Sequence, residues 1–146
     1  MHDATTLRHN TASAAEIAAH LRGCDACFLP PLSRRVAIDD YAQKLAAHAE
    51  RVELWVDGVL VGLAAFYGNQ PPDAFLSNIS VLPDWQKRGL ARLMLTECIA
   101  SARGLNLATM RLEVSSQHEA ALTLYHAQGF TITDMTAGVT RMARAL

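Results

Sequence analysis

Two side chains and one short turn carry the chemistry legible in this sequence. Glu113 interrupts an otherwise apolar strand in Leu112-Glu113-Val114, and Tyr125 follows Leu124 on the inner face of a predicted helix. A carboxylate and a phenol are suited to moving protons in a reaction. Each also has a purely structural reading. An acid on a central strand is equally a rim charge or the ion-pair partner of Arg111 or Arg141, and an aromatic on an inner helix face is equally core. The turn is Gln86-Lys87-Arg88-Gly89-Leu90-Ala91, set directly before an amphipathic helix. A helix N-terminus leaves four backbone N–H groups without partners and carries partial positive charge. When the preceding turn exposes its own amides, the two form a cradle for a phosphate or pyrophosphate. Gly89 lets such a ligand approach the backbone, and Lys87, Arg88 and Arg92 add charge. The spacing fits neither GxxxxGK[ST] nor GxGxxG, and taken alone the turn is equally an ordinary strand-to-helix connection.

Any anion site must be local, because the formal net charge is −1 over 146 residues. That balance excludes a global attraction to nucleic acid or acidic membranes. No apolar run approaches the length of a membrane span. The first residues, MHDATTLRHN, lack the basic-then-apolar order of a signal peptide, so a cytoplasmic location is expected. With 51% hydrophobic and 18% charged residues, the chain reads as one globular domain over residues 1–146. Cys24-Asp25-Ala26-Cys27 suggests a redox pair or half a zinc site, yet no second CxxC or paired histidines complete four ligands. Both cysteines are therefore read as small loop residues, Cys98 as helix core, and no metal is expected.

These groups need a frame to hold them. Ser13 with Glu16 forms a capping box that opens a helix over Ser13 to Leu21, and Ser33 is expected to cap a second helix from Arg34 to Ala49. From Arg51 the period becomes strand-like, with Asp57-Gly58 marking a hairpin. A strand from Ala74 to Leu82, a helix from Arg88 to Ala102 and a strand from Ala108 to Ser115 follow. Leu90, Leu93, Met94, Cys98 and Ile99 form most of the inner face of that helix. A helix from Ser116 to Gln128 and strands at Phe130 to Asp134 and Val139 to Leu146 complete the pattern, with one more strand near Thr5 to Arg8. The order gives a mixed α/β layer fold around a partly antiparallel sheet.

Gln86-x-x-Gly89-x-Ala91, after a strand ending Val81-Leu82-Pro83, resembles the signature of the GNAT superfamily of N-acetyltransferases. The stretch RLEVSSQHEAALTLYHAQGF resembles its second half, and the two blocks cover roughly Ala74 to Phe130. Within the superfamily, Asn78 to Ala91 is most similar to ribosomal-protein N-terminal alanine acetyltransferases. The resemblance implies a mostly antiparallel central sheet flanked by about four helices, and acetyl-coenzyme A as co-substrate. It assigns the pantetheine arm to Ile79, Ser80 and Val81, and the pyrophosphate to Lys87, Arg88, Gly89, Leu90, Ala91 and Arg92. Ala91 departs from the commoner glycine but is still small.

By the same likeness Glu113 is the general base, Tyr125 the general acid that protonates the departing thiolate, and the Val81 N–H the oxyanion donor. Desolvation of Glu113 would suit it to that work. His118 stands where relatives often carry a cofactor-contacting asparagine. Asp39, Asp40, Tyr41 and Asn78 border the region where the superfamily binds its acceptor, although a solvated helix face explains the acids equally well. The residues before Arg51 match the ribosomal-protein branch in no quotable motif, and only 16 residues follow Phe130. Both features point to a small-molecule amine, such as an amino sugar or amino acid derivative, over a peptide N-terminus. A non-catalytic acyl-coenzyme A sensor is the alternative of another class, and a homodimer is left open.

Overall fold

Changes of hydrophobic period mark where helices give way to strands. The structure is a computed structural model that describes residues 5–146. Strand β1 (Thr6–His9) leads to helix α1 (Ala14–Gly23). That helix opens on the expected capping box, with the Glu16 N–H donating to Ser13 Oγ and the Ser13 N–H to Glu16 Oε1. Two short 3-10 turns, Asp25–Cys27 and Leu32–Arg34, precede helix α2 (Ile38–His48). Ser33 does not cap α2. Its N–H and hydroxyl both donate to the Asp25 carboxylate at 2.7 Å, which holds the loop in a tight turn. Helix α2 therefore starts at Ile38, after Ala37, with no side-chain cap.

Strands β2 (Glu50–Val56) and β3 (Val59–Gln70) meet at Asp57-Gly58, whose φ values of 49° and 78° suit a mirror-image hairpin turn. Next come β4 (Asp73–Val81), a 3-10 turn at Pro83–Trp85, helix α3 (Leu90–Gly104) and strand β5 (Thr109–Ser115). Helix α4 (Glu119–Ala127) and strands β6 (Thr131–Thr136) and β7 (Val139–Ala145) complete the order. The strands form one sheet in the order β1-β2-β3-β4-β5-β7-β6. Among the described residues, only the β4–β5 pair is parallel.

Alternation along the strands divides the core between the two faces of the sheet. On one face Leu54, Phe66, Leu76, Met110, Leu112 and Met142 are buried with Met94, Leu95, Cys98 and Ile99 of α3 and Tyr125 of α4. On the other, Trp55, Leu63 and Ala65 are buried with Ile17 and Leu21 of α1 and Ala42 and Leu45 of α2. Leu93, expected on the inner face of α3, is 44% exposed, and Leu95 takes the buried position.

One irregularity decides where the site lies. Ala65 pairs with Asn78 and Phe66 with Leu76, so Ser77 is an extra residue bulged out of β4. The bulge resets the alternation. Ala74 and Leu76 before it, and Ile79 and Val81 after it, face the α3 side. Asn78 and Ser80 turn to the α1 side. Beyond Leu76 and Leu112 the two parallel strands no longer pair, and the sheet splits.

Candidate active site

The split leaves a strand edge open over its last residues. The Leu82 N–H donates to the Val61 carbonyl of β3 at 2.9 Å. Successive N–H groups of an extended strand point to opposite edges, so the Val81 N–H points into the split. Around this edge lies a cavity of about 590 Å³, walled by β4, the following turn, the end of β5, one side of α4, and Cys27, Phe28, Leu29 and Arg35 of the early loop.

The turn has the geometry of an anion cradle. Lys87 and Gly89 both take positive φ, 63° and 77°, which folds the backbone tightly before α3 begins. A Cβ added at Gly89 would meet nothing within 4 Å, so the surface over it is open to a ligand. Lys87, Gly89, Leu90, Ala91 and Arg92 all line the cavity, as do Ile79, Ser80 and Val81. The Arg88 side chain differs from expectation. Its guanidinium stacks on Trp85 at 4.6 Å and donates to the Asp84 carbonyl, outside the cavity wall. Gln86, conspicuous in the sequence, ties the turn to the strand end. Its side-chain amide donates to the Val81 carbonyl at 3.0 Å and to Cys27 Sγ at 3.2 Å.

Glu113 and Tyr125 reach the same cavity from opposite faces of the sheet. Tyr125 is 6% exposed and packs edge-on against Phe130, with ring centroids 5.7 Å apart. Burial first, and the neighbouring Cys98 second, push its phenol well above the ordinary range, so it stays protonated at neutral pH. Among the described residues no hydrogen bond engages its hydroxyl. Glu113 contradicts one expectation: it is not desolvated. Its side chain is 49% exposed, and Oε2 accepts from Arg141 Nε at 3.1 Å. Strand register explains this, since Glu113 lies opposite Arg141 on the sheet face that α1 and α2 leave uncovered. The ion-pair reading of Glu113 is therefore met, and it stands beside the cavity position.

Helix α4 begins at Glu119, later than expected, because His118 caps it: Nδ1 accepts from the Ala121 N–H at 3.3 Å. His118 still lines the cavity. Asp39 pairs with Arg22 at 2.7 Å on an exposed surface, and Asp40 is exposed, so neither acid reaches the site. The Tyr41 hydroxyl is 2.6 Å from Ser77 Oγ and braces the bulge. Cys24 and Cys98 are buried thiols, each pushed up to about 12, mainly by burial. Among the described residues no group of three or more His, Cys, Asp or Glu side chains could hold a metal ion, and no helix is long and apolar enough to cross a membrane.

Sequence reasoning missed one arrangement. His20 of α1 is 3% exposed and contacts Ser80 of β4, which contacts Asn78. A histidine between Ala19 and Leu21 is the single trace of it in the sequence.

A mostly antiparallel sheet split between two parallel strands, with a turn of anion-cradle geometry below the split, is the architecture of an acyltransferase that uses acyl-coenzyme A. The chain belongs to the acetyltransferase (GNAT) family, whose model matches residues 14–130. The family consists of N-acetyltransferases that work with acetyl-coenzyme A. The ribosomal protein bS18-alanine N-acetyltransferase of Salmonella typhimurium is 41% identical over 58 residues, 40% of this chain and 39% of that protein. The L-amino acid N-acyltransferase MnaT of Escherichia coli is 33% identical over 81 residues, 53% of this chain and 47% of that one. The matches thus span less than half the length of these curated relatives. Among solved structures, yncA from Salmonella typhimurium with its cofactor acetyl-CoA superposes with a TM-score of 0.77 at 25% identity, covering 99% of this chain and 95% of that one. The Escherichia coli ribosomal-protein-S18-alanine N-acetyltransferase has the same fold, with a TM-score of 0.77 at 24% identity over 97% of this chain and 93% of that one.

Proposed function

We propose that this chain transfers an acetyl group from acetyl-coenzyme A to a primary amine of a small molecule, such as an amino acid derivative or amino sugar. The observation that carries the reading is the split between β4 and β5, where one cavity receives the Val81 N–H, Glu113 and Tyr125. Acetyl-coenzyme A would supply the thioester carbonyl that the amine attacks. Lys87, Arg92 and the amides from Lys87 to Arg92 suit its phosphates, and the free edge at Ile79 to Val81 suits its extended arm.

The residues then divide the proton traffic. Glu113 takes a proton from the amine, directly or through a water, and its exposure leaves room for that water. The Val81 N–H stabilises the charge that develops on the carbonyl oxygen. Tyr125, protonated at neutral pH, gives its proton to the departing sulfur. The proton balance closes when solvent returns the proton from Glu113 to Tyr125.

A small acceptor is favoured by the tip of the β6–β7 hairpin, which lies beside the end of β5. Ala137-Gly138 is a two-residue turn, and the Gly138 carbonyl accepts from the Ser116 N–H at 2.9 Å. So tight a connection contributes no loop to wrap a peptide. The relatives themselves divide between a protein alanine and free L-amino acids, and the bS18-alanine relative favours a protein N-terminus as the second reading.

The test is thiol release from acetyl-coenzyme A, with product mass, over L-methionine sulfone, L-phenylalanine, glucosamine and an alanine-initiated peptide. At least one small amine should be acetylated faster than the peptide, and the reverse order would select the second reading. Tight acetyl-coenzyme A binding without any amine-dependent release would replace the enzyme with a sensor. Gly89→Glu should weaken acetyl-coenzyme A binding in calorimetry by placing a carboxylate in the cradle. An unchanged affinity would remove the cradle.

A further inference from the structure

The buried contacts His20–Ser80–Asn78 have a polarity that chemistry fixes. His20 Nδ1 lies 2.9 Å from the Leu60 carbonyl oxygen. A carbonyl only accepts, so Nδ1 carries the hydrogen. Burial pushes the His20 pKa down to about 4, so the ring is neutral and Nε2 is bare. The Ser80 hydroxyl, 2.8 Å from Nε2, must then donate to it. With its hydrogen spent, Ser80 Oγ accepts from Asn78 Nδ2 at 3.0 Å. The second Nδ2 hydrogen goes to the Leu63 carbonyl at 3.3 Å. An inverted amide would press Oδ1 against that carbonyl, so the orientation of Asn78 is forced.

Asn78 is 5% exposed and lines the cavity, and both of its amide hydrogens are committed. Oδ1 accepts no hydrogen bond from the described residues, and on this cavity-lining residue it is not fully buried. Asn78 also shares a sheet face with Glu113, across the split. We propose that Asn78 Oδ1 is a binding site for an N–H of the incoming primary amine, and that His20 and Ser80 are positioning residues that hold it there.

The inference rests on the amine-acetylation reading and sharpens it. An attacking primary amine directs its lone pair at the carbonyl, loses one proton to the base and keeps one N–H in the product amide. Asn78 Oδ1 holds the N–H that is kept, so a secondary amine has nothing to offer it once the base has taken its proton. The chain of contacts is not a proton relay: its hydrogens run from Ser80 toward His20, and an amide ends it on the cavity side.

The experiment is nuclear magnetic resonance on the ¹⁵N-labelled full chain. The imidazole signals should show His20 as the Nδ1–H tautomer, and an Nε2–H tautomer would reverse the polarity and overturn the proposal. Methylammonium chloride should then move the Asn78 side-chain amide signals, identified by their loss in Asn78→Leu. Tetramethylammonium chloride, with the same charge and no N–H, should leave them in place. Equal shifts with both salts, or none with either, would also overturn it. Ser80→Ala should weaken the methylammonium response severalfold while the chain stays folded. Because no turnover is measured, a negative amine panel would remove the proposed reaction without altering this result.

Discussion

Two arginine–glutamate pairs lie on the same face of the sheet, with N–O distances of 3.3 Å for Arg51–Glu53 and 3.1 Å for Arg141–Glu113. By distance they are equivalent, and their surroundings are opposite. Glu53 is fully buried, and its two oxygens accept from Thr11 N–H and Oγ1, the Ala12 N–H, Trp55 Nε1 and Arg51 Nε. Arg51 in turn donates to the carbonyls of Leu45, Ala46 and Ala49 at the end of α2 and to that of Ala12. The pair fastens the start of α1 and the end of α2 to β2. Glu113 has one arginine, half its surface in solvent and a cavity beside it. A carboxylate whose acceptor capacity is spent holds structure, and one with capacity left can take a proton.

The largest effect should come from Glu53→Ala, which strands a buried arginine and is expected to lower unfolding free energy by about 3–5 kcal/mol. Urea denaturation reads it, and a loss like that of an ordinary surface change would erase the contrast. Acid should expose the buried side next, in two separate windows. His20 has its folded pKa below its unfolded one, so the unfolded chain binds more protons between them. Its stabilisation is complete above pH 6.5 and is lost as pH falls toward about 4. A loss on the order of 3 kcal/mol is expected there. In Glu53, burial alone would raise the carboxyl, but the bonds from Thr11, Ala12 and Trp55 outweigh it and hold it below the usual value. Its stabilisation is present above about pH 4.3 and lost below, as pH passes the folded value. Melting followed against pH should lose the upper window in His20→Gln and the lower one in Glu53→Gln.

Glu113→Gln belongs to the other side of the contrast. Turnover should fall about 100-fold while the urea midpoint and acetyl-coenzyme A affinity hold. A shifted midpoint with intact turnover would make Glu113 a second structural acid. The smallest effect should follow Arg141→Ala, which removes an exposed partner and should change turnover by less than about threefold. A larger loss would make the arginine part of the proton transfer.

Legibility followed how each part is encoded. The cradle-shaped turn is built from contiguous backbone, so Gly89 and the flanking Pro83 and Lys87 announce it in sequence order. The capping box at Ser13 and Glu16 and the hairpin at Asp57-Gly58 are local in the same way. Ser33 misled because its partner, Asp25, competes across a loop with the helix it was expected to cap. His118 was legible as a cavity residue but not as a cap. Glu113 could be placed on its strand, while its exposure depended on how far α1 and α2 extend over the sheet. Asn78 read as bordering the acceptor, yet what orients it lies 58 positions earlier in the chain, at His20.

The sequence by itself determined the order of helices and strands, a turn with the pattern of an anion cradle, and the acid and phenol that the family resemblance singles out. These rest on period, on glycine's access to positive φ and on neighbours a few residues apart. Tertiary structure alone decided which glutamate is saturated and which keeps spare acceptor capacity, where β4 and β5 part, and which way the Asn78 amide points. Each depends on partners that only folding brings together, because hydrogen-bond capacity is consumed by contacts in space and not by adjacency in the chain.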